Sequence, residues 1–81
     1  MTIRSVLWTP DAQQAARKLP RRLREQVRDH LAALATGPIP PPGALPDLDV
    51  PDAYHVVTAE LTMIVGVYPD EVRVWIVRAN T

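Results

Sequence analysis

The sequence predicts an α+β fold, in which a helical hairpin packs on one face of a four-stranded antiparallel sheet in the order β-α-α-β-β-β. The first observation behind this prediction is a hydrophobic period of about 3.6 residues up to residue 36. The second is a period of two from residue 54 onward, which is typical of strands. The third is the chain length of 81 residues, which predicts a single domain over residues 1–81.

The first part of the chain predicts one strand and two helices. Residues 2–8 have the mixed pattern of a strand with one buried face. Thr9, Pro10 and Asp11 follow, and a hydroxyl cap, a proline and an acid are favoured in this order at a helix start. Pro20 ends this helix and begins a second one that runs to about Thr36. The apolar face of the second helix consists of Leu23, Val27, Leu31 and Leu34.

The second part predicts a three-stranded meander after a connecting segment. Residues 37–53 contain six prolines and two glycines, which exclude a helix or a central strand. Residues 54–58, 61–68 and 72–78 each have the β-rich composition of a strand. The last of them is apolar on both sides, which indicates a central strand between the preceding strand and the N-terminal one. The core face of the middle strand is formed by Leu61, Met63, Val65 and Val67.

The composition excludes several classes of protein. The chain has no cysteine and two histidines, so we expect neither a disulfide framework nor a metal site, and no cofactor. The sequence shows neither a signal peptide nor a run of about 20 apolar residues, so we expect a cytoplasmic protein without a membrane partner.

The net charge of zero conceals two opposed halves. Residues 1–36 carry a charge of +4, and residues 37–81 carry −4. The basic half includes a helical stripe, which is either a solvated surface offset by Glu25 and Asp29 or a binding surface for an acidic protein segment or a phosphate backbone. The stripe consists of Arg17, Arg21, Arg24 and Arg28.

Several short segments, taken in order, point to a known family. They are the strand end Val6-Leu7-Trp8-Thr9 before Pro10-Asp11-Ala12, the Leu19-Pro20 elbow, the helix end Leu31–Leu34 before a Gly-Pro loop, and the strand Val72-Arg73-Val74-Trp75-Ile76-Val77. Over nearly its whole length the chain resembles the RelE/ParE superfamily of bacterial toxins from type II toxin–antitoxin pairs. The resemblance implies a cognate antitoxin, a small protein that wraps over the toxin's sheet and helices.

The resemblance also implies two possible targets. Ribonuclease members of the family cut messenger RNA on the ribosome with basic and aromatic residues on the exposed sheet face and in the C-terminal segment. Members that poison DNA gyrase share the fold without that cluster. Where the ribonucleases typically have a middle-strand arginine and a Gly-His-Arg-like end, this chain has Thr62 and Arg78-Ala79-Asn80. Because the sequence stops at Thr81, we also expect no catalytic residue from a further C-terminal strand or helix.

Three functions remain open for the chain. The first is a toxin that binds and is neutralised by a small antitoxin, with Tyr54, Tyr68 and the four arginines of the stripe as candidate contacts. The second is a ribosome-dependent mRNA endoribonuclease with His55, Arg73 and Arg78 as catalytic candidates, because RNA cleavage needs proton transfer and positive charge at the phosphate. The third is a gyrase-directed inhibitor or a non-catalytic binding module.

Overall fold

The computed structural model describes residues 3–80, which form two helices on one face of a five-stranded sheet. The elements are β1 (Ser5–Trp8), α1 (Pro10–Arg17), α2 (Arg21–Thr36), β2 (Leu45–Pro46), β3 (Ala53–Val57), β4 (Leu61–Val67) and β5 (Glu71–Ala79). The predicted order of one strand, two helices and a three-stranded meander is confirmed. No helix in the described residues is long and apolar enough to cross a membrane.

The core lies between the helices and the sheet, and its predicted faces are confirmed. The four leucine and valine positions predicted for α2 are 4–7% exposed. Met63 and Val65 of β4 and Val72 and Val74 of β5 are fully buried beneath them. Complete burial of one such aliphatic side chain contributes about 1.5–3 kcal/mol. This layer is therefore the main source of stability.

The strand order is β1-β5-β4-β3-β2, so β5 is central, as predicted. The prediction of a wholly antiparallel sheet is wrong, because β1 pairs with β5 in parallel, with Ser5 opposite Glu71 and Trp8 opposite Val74. The reason is where α2 ends. Its Ala35 carbonyl accepts a hydrogen bond from the Arg4 amide just before β1 (2.9 Å), so the proline-rich segment starts at that end of the sheet. The chain re-enters the sheet at β2, which runs opposite to β1, and the three reversals from β2 to β5 give β5 the direction of β1.

The prediction of four strands is also wrong, since a fifth strand lies within the proline-rich segment. Leu45 pairs with His55 and Pro46 with Tyr54 at the outer side of β3. A proline has no N–H to donate, which confines it within sheets to edge strands and bulges. The proline content therefore excluded a central strand but left room for a two-residue edge strand.

A β-bulge changes which side chains leave the core in β5. Ile64 pairs with Ile76 and Val65 with Val74, so Trp75 is the extra residue of the bulge. Trp75 and Ile76 both lie on the sheet face opposite the helices, which we call the free face. The bulge thus places two large side chains in succession on that face.

Arg4 joins three separate parts of the fold. Its Nη1 donates to the Leu34 and Gly37 carbonyls at the end of α2 (3.0 and 2.7 Å), and its Nε donates to the Tyr68 carbonyl between β4 and β5 (2.8 Å). The last turn of α2 has no basic residue of its own. Arg4, which directly precedes β1, therefore supplies the cation and the donors that the carbonyl end of a helix favours.

Candidate functional site

The first candidate site is a cavity of about 640 Å³ between β1 and the two helices, which we call the helix groove. β1 contributes Val6 and Trp8, which pack partly buried against the core. α1 contributes Ala16, and α2 contributes Val27 and Leu31. The floor of the groove is therefore apolar, and its position follows from β1 being at the edge of the sheet.

Three members of the arginine stripe line the groove, and one does not. Arg17, Arg24 and Arg28 are exposed there, and none of them has an ion pair within residues 3–80. Arg21 lies outside the groove and pairs with Glu25 (3.4 Å). An exposed pair of this kind contributes at most about 1 kcal/mol. The stripe therefore divides into two parts. Arg21 forms a solvated ion pair, and Arg17, Arg24 and Arg28 form a positively charged rim along the helix groove.

The second candidate site is an aromatic cluster on the free face. A Cβ atom on Gly66 would lie 2.9 Å from both Trp75 Cη2 and Tyr68 Cε2, so both rings cover the backbone of Gly66. The Arg73 guanidinium lies 5.0 Å from the centroid of the Tyr68 ring. Arg73 also donates to Glu71 (3.0 Å), and this contact raises the pKa of Arg73. The cluster presents aromatic surface and a charged donor together.

His55 belongs to a separate polar pair near the β2 edge. Its Nε2 lies 2.8 Å from Asp47 Oδ2. Asp47 Oδ1 accepts the backbone amides of Asp49 and Val50 (2.9 Å each). The hydrogen bond from His55, followed by these amides, lowers the pKa of Asp47 to about 2. His55 thus holds the loop before β3 in place.

The three predicted catalytic residues lie on the free face without meeting. Arg73 is opposite Gly66 and Arg78 is opposite Thr62, which are four residues or roughly 13 Å apart along β4. His55 is opposite Ile64 on the other side of β4. The structure therefore brings together Arg73 and Tyr68 of the predicted set, but not the three catalytic candidates.

Other predicted positions differ in their surroundings. Tyr54 lies on the helix side of the sheet, where it packs against the core. Thr62, which takes the place of the family's middle-strand arginine, donates through Oγ1 to Asn80 Oδ1 (2.7 Å). No group of three potential metal-ligating side chains occurs in the part of the chain that the structure describes.

Sequence reasoning passed over Trp75, Gly66 and Asp47 as site residues, yet two of them had a signal. A glycine within a strand often marks a close approach to the backbone, which here is made by the two rings over Gly66. Asp47 stands among prolines, where an aspartate often caps a turn through its side chain. The place of Trp75 depends on a bulge, for which the sequence gives no local signal.

The sequence matches no model of a known protein family, and no curated protein matches it. The structure does match solved ones. A chain of the RelBE2 toxin–antitoxin complex from Mycobacterium tuberculosis superposes with a TM-score of 0.78 at 17% identity, covering 99% of this chain and 94% of that chain. A mutant of the E. coli toxin RelE, in complex with a peptide of antitoxin RelBc, superposes with a TM-score of 0.75 at 22% identity. The match covers 99% of this chain and 87% of that chain. The chain has the fold of the RelE toxins.

The RelE fold extends over nearly the whole chain, as the sequence resemblance implies. Its two surfaces in this chain differ in character. The helix groove is apolar with a cationic rim, and the free face carries the aromatic cluster beside exposed aliphatic residues. Of the latter, Leu7 is 50% exposed and Ile76 43% exposed.

Proposed function

We propose that this chain is the toxin of a type II toxin–antitoxin pair and that it binds a small antitoxin protein. The observation that carries the proposal is the match of 99% of the chain to the RelE fold in two complexes that contain an antitoxin or an antitoxin peptide. A cytoplasmic location agrees with this function.

The exposed surface supports a protein partner. Large aliphatic side chains at Leu7, Val57 and Ile76 are 43–54% exposed on the free face, although the domain has only 81 residues. The three side chains share one face of the sheet, and exposed apolar surface gathered on one face is typical of interaction sites. The rim of three arginines adds a preference for a partner with acidic side chains.

The test is to express the chain alone and together with the protein encoded by the neighbouring open reading frame. The proposal expects growth arrest in the first case, normal growth in the second, and copurification of the two proteins. A matched control is Met63→Asp, which places a charge in the core and is expected to abolish both arrest and copurification. Normal growth with the chain alone, in cells where it accumulates folded, would contradict the proposal.

RNA cleavage at the free face is a second candidate activity, favoured by the aromatic cluster. Single-stranded RNA is bound by stacking of bases on aromatic rings and by arginine contacts to phosphate. Tyr68, Trp75 and Arg73 offer both kinds of contact at one place. A gyrase-directed activity has no such feature in its favour among the described residues.

The two activities separate in one set of variants. Arg73→Ala, His55→Ala and Arg78→Ala are each expected to lower messenger RNA cleavage on ribosomes if the free face is catalytic. Arg21→Ala is the control, because Arg21 lies on the helices. Full toxicity in all three variants would contradict cleavage through these residues. Relaxed DNA with intact messenger RNA in a gyrase supercoiling assay would instead indicate gyrase as the target.

A further inference from the structure

The connection between β2 and β3 presents apolar and acidic side chains together. We call residues 45–52 the acidic loop, because they include three aspartates and no basic residue. Leu48 is 97% exposed, and Leu45 and Val50 on either side of it are exposed as well. Asp49 is also exposed and has no ion pair in the part of the chain that the structure describes. Exposed apolar side chains that are grouped and flanked by charge in this way are typical of an interaction site.

One aspartate of the acidic loop holds the loop in a fixed shape. Asp47 Oδ1 accepts the amides of Asp49 and Val50 (2.9 Å each), and Asp47 Oδ2 lies 2.8 Å from His55 Nε2. The Asp47 amide donates to the first carbonyl of β3 (2.8 Å). A loop that is already ordered loses little conformational freedom on binding, so a partner can bind Leu48 without a large loss of entropy.

A surface complementary to the acidic loop lies at the opposite edge of the same sheet. The helix groove has an apolar floor and a positively charged rim, whereas the acidic loop is apolar and negatively charged. Complementary charge across an interface selects and orients the partner. Every copy of the chain carries both surfaces, and the same opposition appears in the charges of +4 over residues 1–36 and −4 over residues 37–81.

One copy cannot place the acidic loop in its own helix groove. The strand order is β1-β5-β4-β3-β2, so four strand spacings, or roughly 19 Å, separate the edge strands that carry the groove and the loop. Two rigid copies cannot exchange their loops reciprocally either, because opposite edges of a sheet face away from each other. A contact between copies is therefore head to tail and leaves one free loop and one free groove.

We infer that the helix groove binds the acidic loop of a second copy of this chain. Leu48 then contacts the apolar floor of the groove, and Asp49 and Asp52 face its positively charged rim. A loop of eight residues covers much less than the roughly 800 Å² per partner of a standard protein interface, so the association is weak and needs a high protein concentration. The inference requires only these two surfaces and does not depend on the proposed function.

Sedimentation equilibrium of the full chain without a partner protein measures the association. We expect the weight-average mass to rise above that of the monomer as the concentration increases. At about 0.5 M salt the mass is expected to fall toward that of the monomer, because salt screens exposed charges. A monomer at all concentrations up to about 1 mM in low salt would overturn the inference and leave the groove to a different partner.

Substitutions at exposed positions test the apolar contact without disturbing the core. Leu48→Ser is expected to weaken the association at least tenfold. Ile76→Ser is the matched control, because Ile76 is an exposed aliphatic residue on the free face, and we expect it to associate as the unsubstituted chain does. Loss of association in Ile76→Ser but not in Leu48→Ser would place the contact on the free face and overturn the inference.

Charge reversal tests the other side of the contact. Arg28→Glu is expected to weaken the association at least tenfold, because Arg28 lines the helix groove. Arg21→Glu makes the same change of charge outside the groove and is expected to have a much smaller effect. Equal affinities of these two variants, with folding checked by circular dichroism, would overturn the assignment of the groove.

A mixture of two variants tests the head-to-tail direction. Leu48→Ser keeps the groove and loses the loop contact, whereas Arg28→Glu keeps the loop and loses the groove contact. Each variant alone is expected to be monomeric. Their mixture is expected to form pairs with one copy of each and nothing larger, because such a pair has only its two defective surfaces left. A mixture that stays monomeric, or that forms assemblies larger than pairs, would overturn the inference.

Discussion

Replacement of Arg4 tests how much of the fold depends on one side chain. Its guanidinium makes three hydrogen bonds of 2.7–3.0 Å, two to the end of α2 and one to the β4–β5 turn. A hydrogen bond that involves a charged group contributes about 1.5–3 kcal/mol when it is well buried. Arg4 is only partly buried, so we take about 1 kcal/mol for each bond. Arg4→Met is therefore expected to lower the free energy of unfolding by about 3 kcal/mol.

This loss is large for a domain of this size. Domains have about 0.05–0.15 kcal/mol of stability per residue, which gives roughly 4–12 kcal/mol here. A change of 1 kcal/mol shifts the melting temperature of a small domain by about 4–8 °C, so Arg4→Met is expected to melt roughly 12–24 °C lower. Arg4→Lys keeps the charge but loses the planar guanidinium with its several N–H donors. We therefore expect the lysine to retain about a third of the unfolding free energy that Arg4 contributes.

Urea unfolding followed by circular dichroism measures the effect, provided the slope against urea stays constant. Arg78→Met is the matched control, because Arg78 is exposed and makes no side-chain hydrogen bond or ion pair within residues 3–80. A loss below about 1 kcal/mol in Arg4→Met, or equal stability of Arg4→Lys and the unsubstituted chain, would refute the reasoning. Water would then satisfy the three carbonyls as well as Arg4 does.

Three further predictions concern the core, the aromatic cluster and the loop before β3. Met63→Ala is expected to cost about 2–5 kcal/mol in urea unfolding, because Met63 is fully buried and leaves a cavity. Gly66→Ala forces the Trp75 ring aside, so we expect a loss of about 1–3 kcal/mol and an altered near-ultraviolet dichroism spectrum; an unchanged spectrum would contradict the ring placement. The pKa of Asp47 is lowered from 3.8 to about 2, so its stabilising effect is complete above about pH 4 and is lost as the pH falls toward 2. Asp47→Asn should therefore be less stable than the unsubstituted chain at pH 6 and closest to it near pH 2, as measured by urea midpoints; a difference independent of pH would contradict the assignment.

The sequence predicted those parts of the fold that depend on local pattern. The apolar face of α2 and the core face of β4 follow from periods of 3.6 and two, and both are buried as predicted. The direction of β1 relative to β5 has no such signal. It depends on the number of reversals between α2 and β5, including the one at β2, which the local pattern of residues does not fix.

For the candidate sites, the sequence likewise predicted which residues belong to a pattern but not what surrounds each of them. The spacing of the arginines located the basic stripe, but spacing alone does not separate Arg21, which pairs with Glu25, from Arg28, which lines the groove. That division depends on which side of α2 borders β1. Likewise, Arg73 stood out as a base in a strand, whereas its place over Tyr68 depends on the turn between β4 and β5.

The position of β5 between β1 and β4 has a consequence for synthesis of the chain. Thr9, next to β1, bonds to Trp75 of β5, 66 positions later. At about 5–20 residues per second, a ribosome needs roughly 3–13 s to cover that distance. During this time β1 has no strand with which to pair, because its neighbour in the sheet is β5. A product of interrupted translation that lacks residues 71–79 has no central strand, so the binding surfaces described above exist only after β5 has been made.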